Sequence, residues 1–213
     1  MGRRTVCCSE RHTPLCPKKM EVRRNWLSQV PLDLDVVSIS HGFLDAANMV
    51  LPLIGWHGRV ACCDIDPGVR ETLGYLRQDN TYPLLNLQPV GSNIIDYLWE
   101  TYVKTYSCHR LGVVDLDLAE GIVKCWDVLG KVIQVLQAGK FSGKVYLTFR
   151  NGRRDGFGKD ALENRLAWLD SMLPKGVKRT GHTKYNSAQI DRDASRTKGA
   201  PMCIVELSFS LAS

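Results

Sequence analysis

The stretch Arg59-Val60-Ala61-Cys62-Cys63-Asp64-Ile65-Asp66-Pro67 decides how the chain is read. A short apolar run stops at acid-x-acid-Pro. This is the pattern of a buried strand whose carboxylates emerge at its C-terminal end, with a helix opening at the proline. In an open α/β sheet that end lines the ligand crevice, where a carboxylate accepts hydrogen bonds from the ribose hydroxyls of a nucleoside. Asp64 is the candidate for that role. Asp64 and Asp66 can equally cap a helix over residues 67–78, since Asp ahead of Pro is ordinary helix-start chemistry.

On either side of this stretch, strands and helices alternate. Asp35 to Ser40 reads as a first strand, followed by a turn at His41-Gly42 and a helix over 43–55 that ends at Gly55. Beyond the helix at 67–78, Leu84-Leu85-Asn86-Leu87 is a weak third strand, and 93–106 has helical spacing. Leu111-Gly112-Val113-Val114-Asp115-Leu116-Asp117 repeats the opening pattern, an apolar run closed by acid-x-acid. A helix over 119–138, a strand over 144–149 and a helix over 159–173 follow. Residues 177–185 and 202–211 are expected to form an antiparallel strand pair joined by a polar, mobile loop. The alternation predicts an α/β fold: a doubly wound, mostly parallel Rossmann-like sheet with helices on both faces and an antiparallel C-terminal strand pair. Residues 1–32 read as a basic arm with a short helix at 21–32, and residues 33–213 as the folded domain.

At 213 residues and 44% hydrophobic content the chain suits one folded domain. No run approaches the roughly 18 apolar residues of a membrane span, and the N-terminus lacks the apolar stretch of a signal peptide. Cys62, Cys63, Cys108, Cys125 and Cys203 fall in apolar runs, where cysteine behaves as a small hydrophobe. These features predict a reduced, cytoplasmic protein with no membrane contact. Cys7, Cys8, His12 and Cys16 are of zinc-ligand type, but their spacing matches no strong zinc template, and a weakly ordered basic arm is the simpler reading. Charge is uneven: residues 1–24 carry seven Lys/Arg against two acids, residues 150–198 twelve against six, and residues 25–149 nine against thirteen. A basic periphery around an acidic centre suits a polyanionic partner, RNA or DNA, and also describes an ordinary solvated surface.

The order of these elements, with Asp-x-Asp-Pro after the second strand and Asp-x-Asp after the fourth, resembles class I S-adenosylmethionine-dependent methyltransferases over about residues 33–211. The resemblance implies S-adenosylmethionine as cofactor. It places Ser40, His41 and Gly42 around the methionine moiety, Asp64 on the ribose and Ile65 beside the adenine. It further implies that Asp117, and next to it Asp115, orient or deprotonate the acceptor, and that the acceptor is a nucleic acid or a nucleotide-bearing molecule. Asp115 and Asp117 share a strand face; the plainer expectation is that one of them caps the following helix. Arg150, Arg153 and Arg154 follow the fifth strand on the same edge, where guanidinium forks grip phosphates. This chain departs from the family in having one glycine in the first turn, in having Leu-Ala rather than Pro and an aromatic after Asp117, and in lacking a Pro-Cys nucleophile. Two function classes follow: a nucleic-acid methyltransferase, favoured by the two acid-x-acid strand ends, and a non-catalytic methyltransferase-like binding module, favoured by the single-glycine turn.

Overall fold

The computed structural model describes residues 17–39, 47, 49–63, 87–151, 157, 161–187 and 200–210. Seven strands make one sheet: β1 Asp35–Ser38, β2 Val60–Cys63, β3 Leu87–Val90, β4 Leu111–Gly121, β5 Lys144–Arg150, β6 Val177–Ser187 and β7 Ala200–Phe209. Their spatial order is β3-β2-β1-β4-β5-β7-β6. The first five strands run parallel, and β7 lies antiparallel to both β5 and β6. This is the mostly parallel sheet with an antiparallel C-terminal pair that the alternation predicts.

All four residues of β1 and all four of β2 are buried, as a parallel sheet covered on both faces requires. Strand alternation sorts the core into two layers. Val37, Ala61, Val114, Leu147 and Val205 face the helices α2 (Ile94–Leu98), α3 (Ile122–Ala138) and α4 (Ala161–Met172). Val36, Val60, Val113, Tyr146 and Ile204 face the opposite layer, which is built from α1 (Pro17–Leu27) and the segment around Leu51 and Trp56. The helix expected over 43–55 stops short: its described helical residues end at Val50, residues 51–55 are turns, and Gly55 within them has φ +70°, where a residue with a Cβ would be strained.

α1 spans Pro17–Leu27 rather than 21–32. Proline suits a first helical position, because its φ is already helical and its missing N–H has no intrahelical acceptor there. Met20, Arg23, Trp26 and Leu27 form the buried stripe, and Val30 closes it. The Trp26 ring stacks on Tyr146 with centroids 4.3 Å apart and planes 14° off parallel. At the N-terminal end of the sheet, Asp35 anchors the first two strands. Its carboxylate accepts from the Arg59 N–H at 3.0 Å, from Arg59 Nη2 at 2.8 Å and from the Tyr102 hydroxyl at 2.9 Å.

Several boundaries differ from the expectation. β3 is Leu87–Val90, three residues beyond the apolar run at 84–87, because pairing with β2 selects the segment: Val60 sits opposite Leu87 and Cys63 opposite Val90. As an edge strand it tolerates Pro89. β4 continues to Gly121 through an irregularity after Asp117, so α3 starts at Ile122 rather than 119. Helix 93–106 resolves into α2 followed by a π-helical turn, Trp99–Val103. Cys62, Cys63, Cys108, Cys125 and Cys203 are buried and outside any disulfide, and burial pushes the Cys125 and Cys203 thiols up to about 12. The helix expected at 67–78 and the loop between β6 and β7 lie outside the described residues. None of the helices described is long and apolar enough to cross a membrane.

Candidate active site

The chain runs from β1 outward through β2 to β3, then crosses back to place β4 on the other side of β1. In an open α/β sheet the crevice at such a switch point, beyond the C-terminal ends of the strands, is where ligands bind. Here it opens where the β1–β4 ladder stops, at Ser38 opposite Asp115. Ser38 pairs in register with Asp115, and the Ile39 N–H donates to the Asp115 carbonyl at 3.3 Å.

On the α1 face of this crevice, four charged side chains meet. Arg23 Nη2 donates to Asp115 Oδ2 at 2.9 Å and to Asp117 Oδ2 at 3.2 Å. Lys19 Nζ donates to the same Asp117 oxygen. The Ser38 hydroxyl donates to Asp115 Oδ2 at 2.9 Å. The match is geometric. Lys19 and Arg23 lie four residues apart on a helix, about 6 Å of rise, and Asp115 and Asp117 lie two apart on a strand, about 6.6 Å. α1 runs antiparallel to β4, so each cation meets an acid in turn. Both acids therefore project from one face of β4, as their spacing predicts. Neither caps α3, whose N-cap is Gly121 with no side-chain cap bond.

Burial grades the four groups. The Arg23 and Asp115 side chains are 1% and 2% exposed, while Lys19 and Asp117 are 16% and 9% exposed. Burial opposes the charge on Arg23, but Asp115 and Asp117 outweigh it and raise its pKa. Burial also pushes the Asp115 carboxyl above the ordinary carboxylate range; Asp117 adds to this, while Arg23, Lys19 and the Ser38 hydroxyl oppose it. Because a guanidinium does not give up its proton in a protein, any proton the cluster gains resides on a carboxyl. Thr148, in register with Asp117, is 1% exposed, and its hydroxyl has no hydrogen-bond partner among the described residues.

Arg150 ends β5 at the same edge and is exposed. Asn151 follows, and its side-chain oxygen accepts from Arg165 Nη1 of α4 at 2.8 Å, with the Arg165 guanidinium 5.6 Å from the Phe157 ring centroid. Ser40, His41, Gly42, Asp64, Ile65, Arg153 and Arg154 lie outside the described residues, as do Cys7, Cys8, His12 and Cys16. Among the described residues no group of three or more His, Cys, Asp or Glu could hold a metal. Lys19, Arg23 and Ser38 were not singled out in the sequence. The available signal was a pair of cations four apart, with Arg23 in line with Met20 and Leu27 on an apolar helix stripe, opposite an acid-x-acid strand end.

The fold, unlike the sequence, has many known counterparts. A candidate rRNA methylase from Clostridium thermocellum superposes with a TM-score of 0.55 at 15% identity over 90% of this chain and 97% of its own. A candidate tRNA methyltransferase from Streptococcus pneumoniae superposes at 0.56 with 11% identity over 92% and 71% of the two chains. A candidate methyltransferase from Escherichia coli does so at 0.52 with 14% identity over 92% and 87%. The chain shares its fold with these methyltransferase structures. In this fold Ser38 at the end of β1 and Asp115 and Asp117 within β4 border the crevice. Neither a protein-family model nor a curated protein sequence matches the chain.

Proposed function

We propose that the chain is an S-adenosylmethionine-dependent methyltransferase whose acceptor is a nucleic acid, RNA above all. The observation that carries this reading is the class I strand order, whose switch point opens at Ser38, Asp115 and Asp117. β1 and β2 are adjacent and in register up to Ser38 opposite Cys62, so the chain leaves both strands side by side. Ser40, His41 and Gly42 beyond the first and Asp64 and Ile65 beyond the second are proposed to hold the cofactor, which when bound supplies an activated methyl group.

The work of this chain is then to place the acceptor in line and to exclude water. Asp115 is sealed against solvent and acts as a positioning residue that fixes Ser38 and Arg23. Asp117, at the rim, is the group proposed to orient the acceptor. Arg150, with Arg153 and Arg154 after it in sequence, is proposed to grip phosphates. Asp117→Asn should slow methyl transfer to RNA at least tenfold, within the range for groups that orient or deprotonate an acceptor. The check is incorporation of labelled methyl from S-adenosylmethionine into total cellular RNA; equal rates for the variant and the wild type would remove Asp117 from the chemistry. The pairing of both acids with Lys19 and Arg23 favours a second reading, a non-catalytic binding module, and absence of transfer to RNA or DNA despite cofactor binding would select it.

A further inference from the structure

β4 presents two carboxylates, Asp115 and Asp117, beside the crevice where, on the nucleic-acid reading above, a chain of phosphates must approach. Two like charges there would repel it, and juxtaposed like charge is a standard way of rejecting a partner. α1 removes the repulsion. The two positive charges of Lys19 and Arg23 balance the two negative charges of Asp115 and Asp117, and all four are joined by the contacts of Lys19 Nζ and Arg23 Nη2. The division of labour follows burial: Arg23 and Asp115 are sealed at 1% and 2% exposure, whereas Lys19 and Asp117 reach the rim at 16% and 9%. Arg23 is too buried to touch a phosphate. Lys19 is the rim cation, and its partner is the acid proposed to face the acceptor.

We propose that Lys19 is a specificity-determining residue that admits a polyanionic acceptor by neutralising Asp117 rather than by gripping phosphate itself. The inference rests on the nucleic-acid reading of the site. It accounts for a lysine in the first turn of a helix, where the dipole favours acids and where α1 carries none. A unit charge about 8 Å from a phosphate at an effective dielectric of about 40 changes affinity about sixfold. The phosphate it acts on lies in solvent, so the effect must fade as salt rises.

The test is a double-mutant cycle read by fluorescence anisotropy with a short labelled RNA across a salt series, with thermal melting of each variant. Lys19→Gln should weaken binding about sixfold at low salt, Asp117→Asn should tighten it by a similar factor, and the double variant should return to within about twofold of wild type. Lys19→Arg should bind as wild type. If the double variant binds as weakly as Lys19→Gln, Lys19 touches phosphate directly and the inference is overturned. An Asp117→Asn variant that binds no tighter than wild type overturns it as well, and that arm stands even where Lys19→Gln does not fold. Wild-type protein that binds no RNA at low salt would instead defeat the nucleic-acid reading itself.

Discussion

Arg23→Met is expected to destabilise the fold by about 3–5 kcal/mol, because it leaves buried carboxylate charge without its guanidinium. Methionine fills much of the arginine's length, so the loss reports charge more than volume. Among the described residues, Asp115, 2% exposed, would keep the Ser38 hydroxyl and the more distant Lys19 to favour its ionised form. Arg23→Met/Asp115→Leu should recover most of the loss: an apolar pair replaces a buried ion pair at little cost, and Asp117 keeps Lys19. The pH dependence has a definite sign. Burial already raises the folded-state pKa of Asp115, and removing Arg23 removes the largest opposing influence. A carboxyl whose folded pKa lies above its unfolded value contributes most below the unfolded value, and stability falls as pH rises through the folded one. The deficit of Arg23→Met should therefore shrink toward pH 4 and widen toward pH 7. Urea titrations of wild type, single and double variants at both pH values measure this; a deficit independent of pH and not relieved by Asp115→Leu would show that Arg23 acts through packing.

Trp26→Ala should cost a comparable amount, about 3–5 kcal/mol, for a buried tryptophan truncated in a packed layer. Trp26 is 5% exposed and lies 4.3 Å from the Tyr146 ring, with Met20 and Leu27 completing the contact of α1 with the sheet. The loss should be local before it is global. Amide hydrogen exchange should accelerate throughout α1 and around Ser38 and Asp115 well before β5 and β7, because among the described residues α1 is held by this layer, the Lys19 and Arg23 pairs and the Arg24–Met49 contact. A Trp26/Tyr146 cycle should give a coupling of about 0.5–1.5 kcal/mol from the stacked rings. Uniform acceleration across the sheet would contradict the idea that α1 is a separately docked clasp.

How much of this was legible in the residues differs between elements. The fold was, because strands and helices differ in period and the apolar runs ahead of the two acid-x-acid pairs form β2 and β4, although β4 continues past Asp117 to Gly121. The five cysteines also read correctly, since an apolar neighbourhood within a core element leaves a thiol little else to be. β3 was displaced by three residues because local apolarity, strongest at Leu84 and Leu85, does not decide an edge strand: pairing with Val60–Cys63 does. The clasp on Asp115 and Asp117 escaped for a different reason. Lys19 and Arg23 read as two of the seven cations of a basic arm, and only the tertiary placement of α1 turns them inward. Local pattern fixes the face a residue occupies, whereas which charge that face meets depends on contacts nearly a hundred residues away.

The most direct measurement of the central claim is calorimetric titration of the full chain with S-adenosylmethionine and its demethylated product. The account predicts saturable binding of one ligand per chain, and an Asp64→Ala variant that folds normally but binds more weakly by about 1.5–3 kcal/mol, the loss of a charged acceptor for two hydroxyl donors. Absence of binding by the wild type at millimolar ligand would contradict the account.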